Sequence, residues 1–289
     1  MKVVGFSFIK DAVKMQYPIK EAILSILPLC DEVIVAVGKS DDGTRELVAS
    51  IDKKVKIIDT VWDFTLKENG KLLAAETDKA FKAIGADADW CIYIQGDEVL
   101  HEDGYAEINS AMEEWKDDRN VDGLLLKYRH FFGSYDYMGI EAHWYRHEIR
   151  IIKNNKNIFS FRDAQGFRKG DNKKLRVKEL NAFIHHYGWV QSPEIMKAKH
   201  DYKNKIYWNG EFDEAKIIVP EDYPFKLVRA LEKFTRTHPK VMEKRIAEAD
   251  WIFKYNESDN KLSLKDHFKN ISEKLLGTRL FDYKNYIRV

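Results

Sequence analysis

Hydrophobic positions in the first hundred residues fall into short runs separated by stretches of helical periodicity. Residues 3–8, 33–37, 55–60 and 90–94 are rich in β-branched and aromatic side chains, which predicts strands. The run 33–37 has little polar alternation, which suits a parallel strand covered on both faces. Pro18 opens a predicted helix in which Ile19, Ile23, Ile26 and Leu27 share one face. Arg45-Glu46-Leu47-Val48 continues a second helix. Leu73, Thr77, Ala80, Phe81 and Ile84 mark a third, ended by Gly85. The alternation of strand and helix argues for an α/β fold with a mostly parallel central sheet flanked by helices.

Beyond residue 100 the pattern loosens. Tyr105, Ile108, Met112 and Trp115 predict a further amphipathic helix, and 123–128 a strand. From 129 to 147 periodicity gives way to aromatic and glycine-rich sequence, a kind of stretch that is usually functional or mobile. Residues 150–153 and 158–161 are expected strands, joined as a hairpin at Asn154-Asn155-Lys156-Asn157. The basic run holding Arg168, Lys169, Lys173, Lys174 and Arg176 reads as a solvated loop, or as a lid that neutralises a diphosphate. Residues 182–189 form a last strand-like run, and past Pro193 the chain is highly charged and helical. The expected division is residues 1–190 as one domain and 191–289 as a helical C-terminal extension.

The 289 residues carry 48 Lys plus Arg against 47 Asp plus Glu, a net charge of +1. No global field favours nucleic acid or an anionic membrane, which leaves only local patches. Cys30 and Cys91 lie in or beside apolar runs and read as buried thiols, without disulfide or zinc spacing. The start of the chain lacks a signal-peptide pattern, and no apolar run approaches the ~20 residues of a membrane span. The expected location is cytoplasmic, or peripheral at the inner face of the membrane. There is no Gly-x-Gly-x-x-Gly, no P-loop and no Gly-x-Ser-x-Gly, so dinucleotide binding, P-loop chemistry and serine hydrolysis lack an anchor.

The strongest chemical signal is Gln95-Gly96-Asp97-Glu98, which ends the run 90–94. Carboxylates at the carboxyl edge of an α/β sheet suit Mg²⁺ or Mn²⁺ held together with substrate phosphates. The plain alternative is the start of a solvated loop. His185 and His186 alternate on a strand, so one of the two can face a site there. Loop 38–44 is a small, polar βα turn capped by Asp42 or Thr44.

Taken together, Ser40-Asp41-Asp42-Gly43-Thr44, Gln95-Gly96-Asp97 and Ile184-His185-His186-Tyr187-Gly188-Trp189 resemble, in order and spacing, the motifs of family 2 glycosyltransferases with the GT-A fold. The resemblance covers residues 1 to 190. It implies a nucleotide-diphosphate sugar donor, a glycan or lipid-linked acceptor, and inverting transfer to a hydroxyl. It also implies a Mn²⁺ or Mg²⁺ ion on Asp97 and His186, with Asp11, Asp41, Asp42 and Gln95 toward the nucleotide. Asp163 is the first choice of base for the acceptor hydroxyl, with Glu141 and Glu148 as alternatives. His143 and His147 do not form a zinc motif, and with Trp144 and Tyr145 they are candidates to line a sugar pocket.

Two departures stand out. Gln95 replaces the first acid of the family's Asp-x-Asp, and Val37-Gly38 replace the acidic pair expected after the second strand. They motivate a rival reading, a catalytically silent carbohydrate- or nucleotide-binding protein with the same fold. A nucleotidyltransferase is less favoured, because Phe8-Ile9-Lys10-Asp11 contains no glycine-rich phosphate loop. The extension, with Trp208, Trp251, Phe253 and many lysines, is open to packing on the acceptor side, pairing two copies or touching a membrane.

Overall fold

The computed structural model describes residues 1–66, 70–199 and 228–289. Trp208, singled out above, lies outside the described residues. The first half is strand β1 (Val3–Ile9), helix α1 (Ile19–Ile26), β2 (Glu32–Gly38), α2 (Thr44–Ala49), β3 (Val55–Thr60), α3 (Lys71–Lys82) and β4 (Trp90–Tyr93). β1 pairs in parallel with both β2 and β4, and β2 with β3. Side chains of the central strands alternate between two cores. Val33, Val35 and Val37 pack on one face with α1, while Ile34 and Ala36 pack on the other with Ala80 and Phe81 of α3. That two-sided burial is why these strands read as unbroken apolar runs.

Next come β5 (Glu98–Leu100), α4 (Tyr105–Trp115), β6 (Gly123–Phe132), β7 (Tyr137–Gly139), β8 (His147–Lys153), β9 (Ile158–Phe161), β10 (Gly166–Lys169) and β11 (Lys173–Trp189). The order across the sheet is β3-β2-β1-β4-β8-β6-β11-β10-β9. It is an α/β fold whose parallel part is continued by antiparallel strands. β8 is wedged between β4 and β6, antiparallel to both, so no edge is left for β9. The expected 150–161 hairpin therefore does not form, and β9 pairs with β10 instead. The turn between β8 and β9 is fastened elsewhere: Asn154 Nδ2 donates to the Gly85 and Ala88 carbonyls at 2.8 and 3.0 Å.

The expected basic loop is mostly strand. Arg168 donates to Asn285 and Tyr283, while Lys169 and Arg176 both pair with Asp122. Arg168, Lys169 and Arg176 thus brace the sheet and do not form a lid. The remaining elements are α5, described over 193–199, then β12 (Leu231–Lys233), α6 (Glu243–Ala247), α7 (Leu264–Leu276) and β13 (Tyr286–Arg288). Among its described residues the stretch after residue 190 carries helices α5, α6 and α7 and also returns strand to the sheet, since β13 pairs in parallel with β11. Among the described residues no helix is long and apolar enough to cross a membrane.

Candidate functional site

A cavity of about 400 Å³ opens where β1 and β4 end. Ile9, Lys10, Gln95, Gly96 and Asp97 line it from those strand ends. Gly96 lies close against β1: a Cβ there would come 2.6 Å from Ile9 Cδ1, and that side-chain end would have to move. Phe8 and Trp62 add one aromatic patch, and Trp144, Tyr145 and Trp189 another. Lys199 reaches in from α5. An aromatic-lined pocket with a few convergent polar groups is the usual form of a small-molecule site.

The polar focus is Asp97. β5 follows it directly and pairs antiparallel with β11, setting Glu98 opposite His186. Tyr187 N donates to the Asp97 carbonyl at 2.8 Å. The register brings Asp97 Oδ2 to 3.7 Å from His186 Nε2, and Lys199 Nζ lies 3.6 Å from the same oxygen. Lys199 also donates to the Gly188 carbonyl at 2.7 Å and rests on the Tyr17 ring. Burial works against the charged Asp97, but the cations beside it, His186 whenever it is protonated and Lys199, offset it and hold the carboxyl below its ordinary range.

β6 and β11 place His130 beside His186, with Nδ1 to Nδ1 at 3.3 Å. His130 Nε2 lies 2.8 Å from the Tyr145 carbonyl, which can only accept, so that nitrogen carries the proton. Burial, with His186 and Arg146 nearby, pushes the His130 pKa well down. A neutral His130 then accepts at Nδ1 from His186 Nδ1–H. Burial lowers the His186 pKa against the opposing pull of Asp97. This tautomer, assigned from the hydrogen bonds, leaves the His186 Nε2 lone pair aimed at the Asp97 carboxylate. The Lys199 ammonium, 3.6 Å from Asp97 Oδ2, is the cation beside these two electron-rich groups. His185 lies on the other face of β11, bonded to Arg129 and Tyr187.

Glu98 and Arg150 form a wholly buried pair beneath this focus. Arg150 Nε and Nη2 donate to the two carboxylate oxygens at 2.9 and 2.7 Å, and Tyr128 OH adds a third bond at 2.8 Å. Glu98 also accepts from Gln95 N, while Arg150 donates to the Gln165 carbonyl. The pair thus ties the Gln95–Asp97 turn to the β9–β10 turn. Gln95 makes the same connection through Nε2, which donates to the Ala164 carbonyl at 3.0 Å. Asp163 lies on that turn and lines the cavity. Its neighbours Arg162 and Ala164 both have positive φ, at 56° and 62°.

The other candidates sit differently. Glu141 is buried and held by Arg229 N and Nε, which makes it a structural carboxylate. Glu148 is buried and does not line the cavity; burial raises its pKa to about 8. Both Asp42 oxygens are used, accepting from Lys14 N and from Thr44 N and Oγ1. Asp11 pairs with Lys10 and donates its backbone N–H to Ser40, and Asp41 is exposed. Asp11 and Asp42 knit the loops after β1 and β2 together, while Lys10 faces into the cavity. His143, Trp144 and Tyr145 line the cavity, whereas His147 pairs with Glu179 outside it.

Among the described residues no group of three or more His, Cys, Asp and Glu converges on one point. Asp97 and His186 fit a Mg²⁺ or Mn²⁺ ion only as a two-donor site completed by phosphate oxygens and water, as such ions commonly bind. His130, Arg150 and Lys199 left no local sequence signal. Each comes from a strand or helix distant in sequence.

No protein-family model and no curated protein sequence matches the chain. Among solved structures it is similar to S. aureus TarS, with a TM-score of 0.40 and 15% identity over 74% of this chain. The chain spans 41% of that protein's length. It is also similar to 4-diphosphocytidyl-2C-methyl-D-erythritol synthase from Anaerococcus prevotii, at 0.38 and 10% over 70% of this chain and 96% of that one. A third match is glucosyl-3-phosphoglycerate synthase from Mycobacterium tuberculosis in complex with Mn²⁺, UDP and glucosyl-3-phosphoglycerate, at 0.31 and 15% over 46% and 45%.

Proposed function

We propose that this chain is a transferase that moves a sugar from a nucleoside-diphosphate sugar to a hydroxyl acceptor, at the cavity around Asp97. The observation that carries the reading is the convergence of Asp97, His186 and Lys199 in an aromatic-lined cavity at the carboxyl ends of β1 and β4. The sequence resemblance supports the same reading. The diphosphate lies against Lys199 and Lys10, whose charges offset what develops on the leaving oxygen. A divalent ion held by Asp97 and His186 Nε2 would supply further Lewis-acid neutralisation there. The aromatic rings bind the sugar and base faces and exclude water. In the transfer, the acceptor oxygen bonds to the anomeric carbon while the bond from that carbon to the diphosphate breaks, its electron pair leaving on phosphate. Asp163 takes the acceptor proton.

A second reading, a binding protein without turnover, draws on Gln95, whose amide fastens the β9–β10 turn and adds no charge to the cavity. Calorimetric titration of UDP and GDP, with and without Mn²⁺, followed by nucleotide release from the corresponding sugar donors, tests both. Binding lost in Asp97→Asn, with turnover in the unaltered protein, is the expected result. Binding without release of nucleotide supports the second reading. Absence of UDP and GDP binding to folded protein removes a UDP- or GDP-sugar donor and shifts the weight to a silent module or a donor with another base.

A further inference from the structure

Helix α7 wears its amphipathic pattern inside out. Its buried side is polar. Asp266 accepts from Ala142 N at 2.7 Å, Asn270 Nδ2 donates to the Ile140 carbonyl, and Glu273 pairs with Arg146 and Arg279. The opposite side is apolar and faces solvent. Leu264, Phe268, Ile271 and Leu275 follow at i, i+4, i+7 and i+11, which is one face of a helix. They are 88%, 50%, 55% and 77% exposed. Phe281, 89% exposed, stacks beside Phe268 at 6.2 Å and widens the stripe. It is held out by a backbone φ of 61°, a conformation unfavourable for a non-glycine residue. The stripe is flanked by exposed Lys265 on one side and exposed Lys274 on the other. Both acids of the helix, Asp266 and Glu273, are spent on the buried side.

We propose that α7 and Phe281 form an in-plane docking surface for an anionic phospholipid bilayer. A continuous apolar stripe with lysines along its margins is the pattern of an interfacial helix. Its apolar side chains enter the acyl boundary and its cations meet the headgroup charge. The polar side needs no water, because the protein satisfies its groups. A second copy of the chain fits less well. It would bring two more lysines against these two, with no α7 acid on that face to meet them. The surface lies apart from the cavity residues and carries the proposal independently of the transferase reading.

The test is co-sedimentation of the full chain with phosphatidylcholine vesicles and with equal mixtures of phosphatidylcholine and phosphatidylglycerol. Binding to the mixed vesicles, weakening as salt is raised, is expected. Phe268→Asp combined with Ile271→Asp should lower that binding about tenfold or more. Lys265→Ser and Lys274→Ser should each lower it about fivefold. All four positions are exposed, so the thermal midpoint by circular dichroism should hold. Absence of binding by the unaltered chain, or equal binding by the variants, overturns the proposal. A dimer in sedimentation velocity that Phe268→Asp with Ile271→Asp dissociates, with no vesicle binding, also overturns it and assigns the stripe to a second copy.

Discussion

His186 depends for its orientation on His130, which fixes its tautomer through one nitrogen and is itself fixed by the Tyr145 carbonyl through the other. His130→Phe keeps the ring and removes that hold. Loss of such an orienting partner typically costs about 10–100-fold in metal affinity. The expected outcome in calorimetry is a loss of that order in Mn²⁺-dependent nucleotide binding, with metal-free binding little changed. Glu98 answers to a different test. Glu98→Gln leaves the Arg150 guanidinium buried without its counter-charge, and breaking such a pair costs about 3–5 kcal/mol. Urea unfolding should show that loss, whereas Glu98→Leu with Arg150→Met should recover much of it. Asp97 and His186 were legible in the sequence as residue types at a strand end and in a late aromatic run. Their partners were not, because His130, Arg150 and Lys199 gain meaning only from strand register and helix docking.

At the scale of elements, β11 does the positioning. It lies between β5 and β6 at His186, and its pairing with β6 slips between His186 and Trp189. Such irregularities re-aim side chains near sites. Gly188 sits in the slip because a Cβ there would lie 2.6 Å from His186 Cε1 and 2.7 Å from Asp97 Oδ2. Gly188→Ala should therefore push the two apart. We expect nucleotide binding to fall about tenfold or more, with a stability loss of about 1–3 kcal/mol, read by calorimetry and urea unfolding. The first four strands were legible because their two-faced burial writes unbroken apolar runs. The lower part of β11 was not. Its Lys174-Leu175-Arg176-Val177-Lys178 does alternate, with Leu175 and Val177 buried, but the density of charge there reads as loop. Arg176 is held by Asp122 and Asn120, while Lys174 and Lys178 lie over the Tyr283 and Trp115 rings.

At the scale of the molecule, a second histidine group joins the sheet to the segment around 231–238. His238 Nδ1 meets Tyr187 OH at 2.8 Å, and its Nε2 meets the Tyr135 carbonyl at 3.0 Å. His185 packs against it, and Arg129, His101 and Asp136 add their fields. Burial lowers the His238 pKa to about 4, against about 6.5 in an unfolded chain. Between those values the unfolded state binds the proton and the folded state does not, so stability is kept above pH 6.5 and lost as pH falls toward 4. His238→Phe should narrow the difference in urea midpoint between pH 7 and pH 4.5 relative to the unaltered chain. An equal pH response in the two proteins would rule the assignment out.

The pairing of β13 with β11 has a consequence for synthesis. Leu175 is partnered by Tyr286, more than a hundred positions later. On a translating ribosome, that flank of β11 emerges long before its neighbour exists. Until then its backbone N–H and C=O groups form an open edge, which is where nascent chains pair wrongly with one another. The three lysines and one arginine that disguise β11 as loop, Lys173, Lys174, Arg176 and Lys178, are of the charged type that protects such an edge by mutual repulsion.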